Sequence, residues 1–67
     1  MDIFAVRLKE LRKSYNYTQK ELATAINASE DSIYAWENGI RMPSVSFLRE
    51  LCKVFRVSSD FLMGMDK

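Results

Sequence analysis

The sequence predicts an all-α fold, a compact five-helix bundle, and three observations carry that expectation. Apolar residues recur three and four apart along most of the chain, and no segment shows the strict alternation of a half-buried strand. Helix-start residues stand at Thr18, Ser29, Ser44 and Ser58, each just ahead of an apolar-periodic run. At 67 residues the chain supports one core, because dividing its apolar surface between two would leave neither stable.

The first helix runs from Phe4 through Leu8 and Leu11, with Arg7, Lys9, Glu10, Arg12 and Lys13 filling most positions between. It should stop near Asn16, since asparagine tolerates the left-handed conformation that helix C-termini often need. Thr18-Gln19-Lys20-Glu21-Leu22 is a full helix start: Thr18 caps, Glu21 reaches back to complete a capping box, and Tyr17 can staple onto Leu22. This second helix buries Leu22, Ala23 and Ile26 and ends at Asn27; the small Ala23 lets another helix cross closely. Ser29 caps the third, with Glu30 and Asp31 in its first turn, where carboxylates meet unpaired amides and the positive end of the helix dipole. Gly39 stops it, and Pro43 follows. Ser44 opens a fourth helix with the stripe Leu48, Leu51, Cys52 and Phe55, and Ser58 with Asp60 opens a short fifth holding Phe61 and Leu62.

Composition removes several classes of function. With 48% hydrophobic residues and only three Gly or Pro, disorder is not expected. Cys52 stands alone and there is no histidine, so neither an internal disulfide nor a common zinc cluster can form; no metal or cofactor is expected. A chain lacking histidine, an activated cysteine and a phosphate-cradling Gly loop does not read as an enzyme. The N-terminus has no long apolar run and meets Asp2 and Arg7 early, which argues against a signal peptide or membrane span and for a cytoplasmic protein. The triplets Asn16-Tyr17-Thr18 and Asn27-Ala28-Ser29 then have a backbone role rather than serving as glycan acceptors. Net charge is +1, but it is uneven: Met1–Tyr17 carries +2, Thr18–Pro43 −2 and Ser44–Lys67 +1.

Two short helices joined by about three residues, with a tight Gly-containing exit, have the geometry of a helix-turn-helix. The residues Thr18-Gln19, Glu21-Leu22-Ala23, Ser29, Ser32-Ile33, Trp36-Glu37-Asn38-Gly39, Arg41, Pro43-Ser44, Val57-Ser58, Phe61-Leu62 and Gly64 together resemble the Cro and lambda-repressor-like (Xre-type) helix-turn-helix family. The resemblance implies such a domain over residues 8–62, the motif at about 19–38, and a short tail at 63–67. It departs from the family at Asn16 and Asn27, where glycine is usual. It also implies that Arg12 pairs with Glu37 beneath the third helix, fixing the angle of helix one against helix three.

On a helical wheel of about 100° per residue, Ile33, Trp36 and Glu37 share the inner side of the third helix, while Asp31, Tyr34, Ala35 and Asn38 lie opposite, flanked by Glu30 and Ser32. Trp36 is therefore core. Glu30, Asp31, Tyr34 and Ala35 are the candidates for reading base edges: carboxylates can accept from cytosine N4, and Ala35 can touch a thymine methyl. Gln19, Asn38 and Arg41 are the phosphate contacts that the resemblance implies, with Lys20, Ser29 and Ser32 as additions, because helix N-terminal amides also bind phosphate.

The resemblance implies sequence-specific binding of double-stranded DNA by a bacterial or prophage transcriptional regulator, a repressor. It would dock helix three in the major groove of a palindromic operator as a homodimer, with helix five (Phe61, Met63, Met65) as the expected contact and the nucleoid as its place in the cell. The alternative is an interaction module, antitoxin-like or regulator-binding, whose acidic helix-three face takes a basic protein; fold alone does not decide between them.

Overall fold

Each helix starts on a short polar side chain that accepts a backbone N–H two or three residues ahead. In the computed structural model, which describes residues 2–66, Asp2, Thr18, Ser29, Ser44 and Ser58 accept from Phe4, Glu21, Ser32, Phe47 and Phe61 respectively. The elements are α1 (Ile3–Ser14), α2 (Gln19–Ile26), α3 (Glu30–Glu37), α4 (Val45–Phe55) and α5 (Ser59–Met63). The capping box at Thr18 and Glu21 is complete in both directions. An N-cap of this kind stabilises a helix by about 1 kcal/mol, which matters for helices of eight residues or fewer such as α2, α3 and α5.

The ends follow the left-handed logic expected of asparagine and glycine. Asn16 and Asn27 have φ of 62° and 63°, and Gly39 and Gly64 have φ of 69° and 74°. Four details differ from the sequence reading. The helix α1 begins one residue before Phe4, because Asp2 caps it. The helix α3 ends at Glu37, two residues short of Gly39. The last turn of α4 closes on Arg56 in the left-handed region at φ 56°, a position where the sequence offers neither Gly nor Asn. Met63 belongs to α5 rather than to a tail, and Lys67 of the expected tail lies outside the described residues.

Among the described residues no strand forms. The helix α2 packs on α3, α1 lies against both α3 and α5, and α4 closes the other side against α2 and α5. Phe4, Leu8, Leu22, Ala23, Ile26, Ile33, Trp36, Leu51, Phe55 and Leu62 form one continuous core. Burial of each large member contributes about 1.5–3 kcal/mol. Leu48 and Cys52, expected on the buried stripe of α4, pack on the edge of this core and keep part of their surface. Trp36 is 3% exposed and its ring sits 5.4 Å from that of Phe47, so α4 holds α3 from beneath.

Candidate nucleic-acid interface

The orientation of α3 is fixed by polar as well as apolar contacts. Arg12 at the end of α1 donates from Nε to Glu37 Oε2 at 2.6 Å and from Nη2 to Glu37 Oε1 at 3.1 Å. The two residues are 9% and 6% exposed. The same guanidinium donates from Nη1 to the carbonyl of Tyr17 at 2.8 Å. Gln19 Nε2 donates to Glu37 Oε1 at 3.2 Å. Four groups from α1, the α1–α2 turn, α2 and α3 thus converge, and no buried side-chain N or O among the described residues lacks a partner. Buried ions need such satisfaction, because desolvating two charges offsets much of their attraction.

With Ile33 and Trp36 turned into the core, α3 presents Glu30, Asp31 and Tyr34 to solvent, Tyr34 at 54% exposure. Asn38 is exposed too and donates from Nδ2 to the Tyr34 carbonyl at 2.8 Å, which ties its amide to the last turn. Ser29 and Ser32 share a hydroxyl contact of 2.9 Å at the first turn. Lys20 and Arg41 are exposed, while Gln19 is half-buried because its amide is tied to Glu37.

Ala35 is the correction. The helical wheel puts it on the outer side, yet it is 5% exposed. Beyond Gly39 the chain doubles back, and the amides of Ile40 and Arg41 donate to the Ala35 carbonyl at 2.9 and 3.4 Å. A wheel drawn for an isolated helix cannot show what the rest of the chain covers. Ala35 leaves the group of exposed base-reading candidates.

In α5, Phe61, expected as part of a dimer contact, is half-buried, and the Arg7 guanidinium lies 4.3 Å from its ring centroid. Arg7 also donates to the Phe61 carbonyl and to Asp66 Oδ1, the latter at 2.6 Å. That bond holds the Asp66 carboxyl below its ordinary pKa. Met63 and Met65 are exposed on either side of Gly64 in the chain, and Gly64 itself lies against the exposed Ile3.

The sequence reading missed a further exposed strip, Ile40, Met42 and Val45, at 64%, 48% and 71% exposure in the passage from α3 to α4. Its signal was present in Gly39-Ile40-Arg41-Met42-Pro43-Ser44-Val45, where apolar residues stand outside any helical period. Among the described residues no helix is long and apolar enough to cross a membrane.

A family model described as Helix-turn-helix matches residues 8–62. The chain belongs to the Cro/lambda-repressor-type helix-turn-helix family. It is 38% identical over 61 residues to the HTH-type transcriptional regulator ImmR of Bacillus subtilis (strain 168), covering 91% of this chain and 48% of ImmR. It is 35% identical over 60 residues to the antitoxin PezA of Streptococcus pneumoniae serotype 4, covering 90% of this chain and 38% of PezA. The chain thus spans less than half the length of these two relatives. Among solved structures, the P22 c2 repressor in complex with synthetic operator 9T superposes with a TM-score of 0.91 at 26% identity, covering 98% of this chain and all of that one.

Proposed function

We propose that this helix-turn-helix domain binds double-stranded DNA in a sequence-specific way and regulates transcription, as a repressor in a bacterium or prophage. The observation that carries the reading is the outward side of α3. Glu30, Asp31 and Tyr34 stand free on a helix anchored by Ile33 and Trp36, Gln19 is hydrogen-bonded to its Glu37 side chain and Asn38 to its Tyr34 carbonyl, and Lys20 and Arg41 are exposed. The superposition on a repressor solved with its operator supports it. Glu30, Asp31 and Tyr34 read base edges, and Gln19, Lys20, Ser29, Ser32, Asn38 and Arg41 hold phosphates. The first-turn amides of α2 add fixed donors without adding charge, which suits a chain of net charge +1.

One domain reads too few base pairs for a specific site, so the operator is a palindrome bound by a homodimer with half-sites about 34 Å apart. The exposed Ile3, Met63 and Met65 are the contact proposed for that dimer, with Phe61 contributing only its edge. The protein works in the cytoplasm, on the nucleoid, and performs no chemistry of its own. Selection of bound sequences from random duplex DNA, followed by titration at rising salt, tests this reading. Enrichment of a palindrome whose affinity falls with salt is expected; failure to retard any duplex at low salt would refute it.

A second reading is favoured by the similarity to PezA and by the acidic segment Thr18–Pro43: a protein partner with a basic face docks on Glu30 and Asp31. Gln19→Ala with Arg41→Ala removes DNA binding and spares such a partner, so the pair of substitutions separates the two.

A further inference from the structure

Glu37 has more contacts than an ion pair requires. Its Oε1 accepts from Arg12 Nη2 and also from Gln19 Nε2, at 3.1 and 3.2 Å. Gln19 is the first residue of α2 and half-buried, so its amide has one hydrogen committed inward. Its Oε1 has no protein partner among the described residues, and no unpaired polar side-chain atom there is buried, so it reaches solvent; its second Nε2 hydrogen has no protein partner there either. A free glutamine loses rotamer freedom when it is ordered on a ligand; here the tether to Glu37 orders it beforehand.

We infer that Glu37, held by Arg12, is a positioning residue for DNA binding: it fixes the Gln19 amide so that the remaining N–H points at a phosphate beside the start of α2. This rests on the DNA-binding reading above. The Arg12 guanidinium serves both ends of the device, because its Nη1 bond to the Tyr17 carbonyl sets the turn that leads into Thr18 and Gln19, while Nε and Nη2 orient Glu37. The carboxylate lies at the last residue of α3 and the amide at the first of α2, so the same contact fixes the phosphate clamp relative to the reading helix. Preorganisation of this kind raises affinity by removing ordering cost rather than by adding a contact.

The test is a double-mutant cycle on the full chain, with affinity for a selected duplex measured well below the melting temperature of every variant. Gln19→Ala is expected to weaken binding about tenfold, the loss of one charge-assisted hydrogen bond. Glu37→Asp keeps the charge opposite Arg12 but is one carbon too short to hold both partners, and is expected to weaken binding several-fold. In the double variant, little loss beyond that of Gln19→Ala is expected. If the two losses multiply instead, Glu37 acts only on the fold and the role is overturned, while DNA binding stands. If the unaltered chain binds no duplex, the DNA reading fails and this role with it. Should Glu37→Asp not fold, the side-chain amide resonances of Gln19 in the unaltered protein decide. Two well-separated Nε2 protons in the free protein, with only the outer one shifting on DNA addition, are expected, and signals like those of a free glutamine would overturn the role.

Discussion

Arg12 and Glu37 meet as a two-pronged ion pair, Nε to Oε2 and Nη2 to Oε1, sealed between α1 and α3. A chain of this length has a total stability of about 3–10 kcal/mol, and stranding one partner of a buried pair costs about 3–5. Glu37→Ala should therefore leave the domain unfolded or close to it, with a large fall in the urea midpoint. An apolar pair, Arg12→Met with Glu37→Leu, removes both charges and should recover much of that loss, while Gln19 and the Tyr17 carbonyl each lose a partner. An unchanged midpoint in Glu37→Ala would falsify the structural role of the pair.

Gly64 ends α5 at φ +74°, and a Cβ there would stand 2.6 Å from Ile3 Cγ2. Two costs combine in Gly64→Ala: about 1 kcal/mol for an L-residue in the left-handed region, and about 1–3 kcal/mol for forcing the neighbouring side chain aside. Thermal melting should show destabilisation of that combined order. Adding Ile3→Ala removes the γ-carbon contacts but leaves the two Cβ atoms 3.0 Å apart and the backbone cost, so partial recovery is expected. Equal melting of the two variants would show that Ile3 yields freely.

The fold was legible where local chemistry and tertiary structure agree. Thr18 and Glu21, Ser29, Ser44 and Ser58 announce helix starts that form in the structure, and Asn16 and Asn27 mark left-handed ends. Arg56 was not legible, because its left-handed φ is imposed by the turn from α4 into α5 and not favoured by its own side chain. The interface was legible in its helical periodicity, which separates Ile33 and Trp36 from Asp31 and Tyr34. Ala35 escaped because its burial is set by tertiary packing that a helical wheel leaves out, and the engagement of Phe61 escaped because Arg7 lies 54 residues away. The link from Gln19 to Glu37 joins residues 18 apart and has no local signature.

Burial raises the Cys52 thiol above its ordinary pKa. At neutral pH both folded and unfolded chains hold the proton and stability is unaffected. As pH rises through the unfolded-state thiol range, about 8–9, the unfolded chain ionises first, so stability falls until the folded thiol ionises as well. Comparing urea midpoints of the native chain and Cys52→Ala from neutral to alkaline pH isolates this slope, since every other group is common to both. The native chain should lose more stability; parallel curves would mean that the thiol is effectively in water.

Glu30 and Asp31 are exposed in the first turn of α3, where each carboxylate gains about 0.3–1 kcal/mol from the helix dipole. That helical contribution is independent of DNA, so Glu30→Gln and Asp31→Asn should each lower stability by that amount. Facing a polyanion, the same charges oppose binding to every sequence, and removing one should raise affinity for random duplex. If a carboxylate also accepts from cytosine N4, its loss removes about 1–3 kcal/mol of discrimination at one base pair. Affinity for the selected site should then rise less than affinity for random DNA, or fall, and the ratio between them should drop about tenfold. The position at which cytosine preference disappears identifies the base pair each acid reads. Equal tightening on both duplexes would instead make the two acids helix-start residues alone, and would leave base reading to Tyr34 and its neighbours.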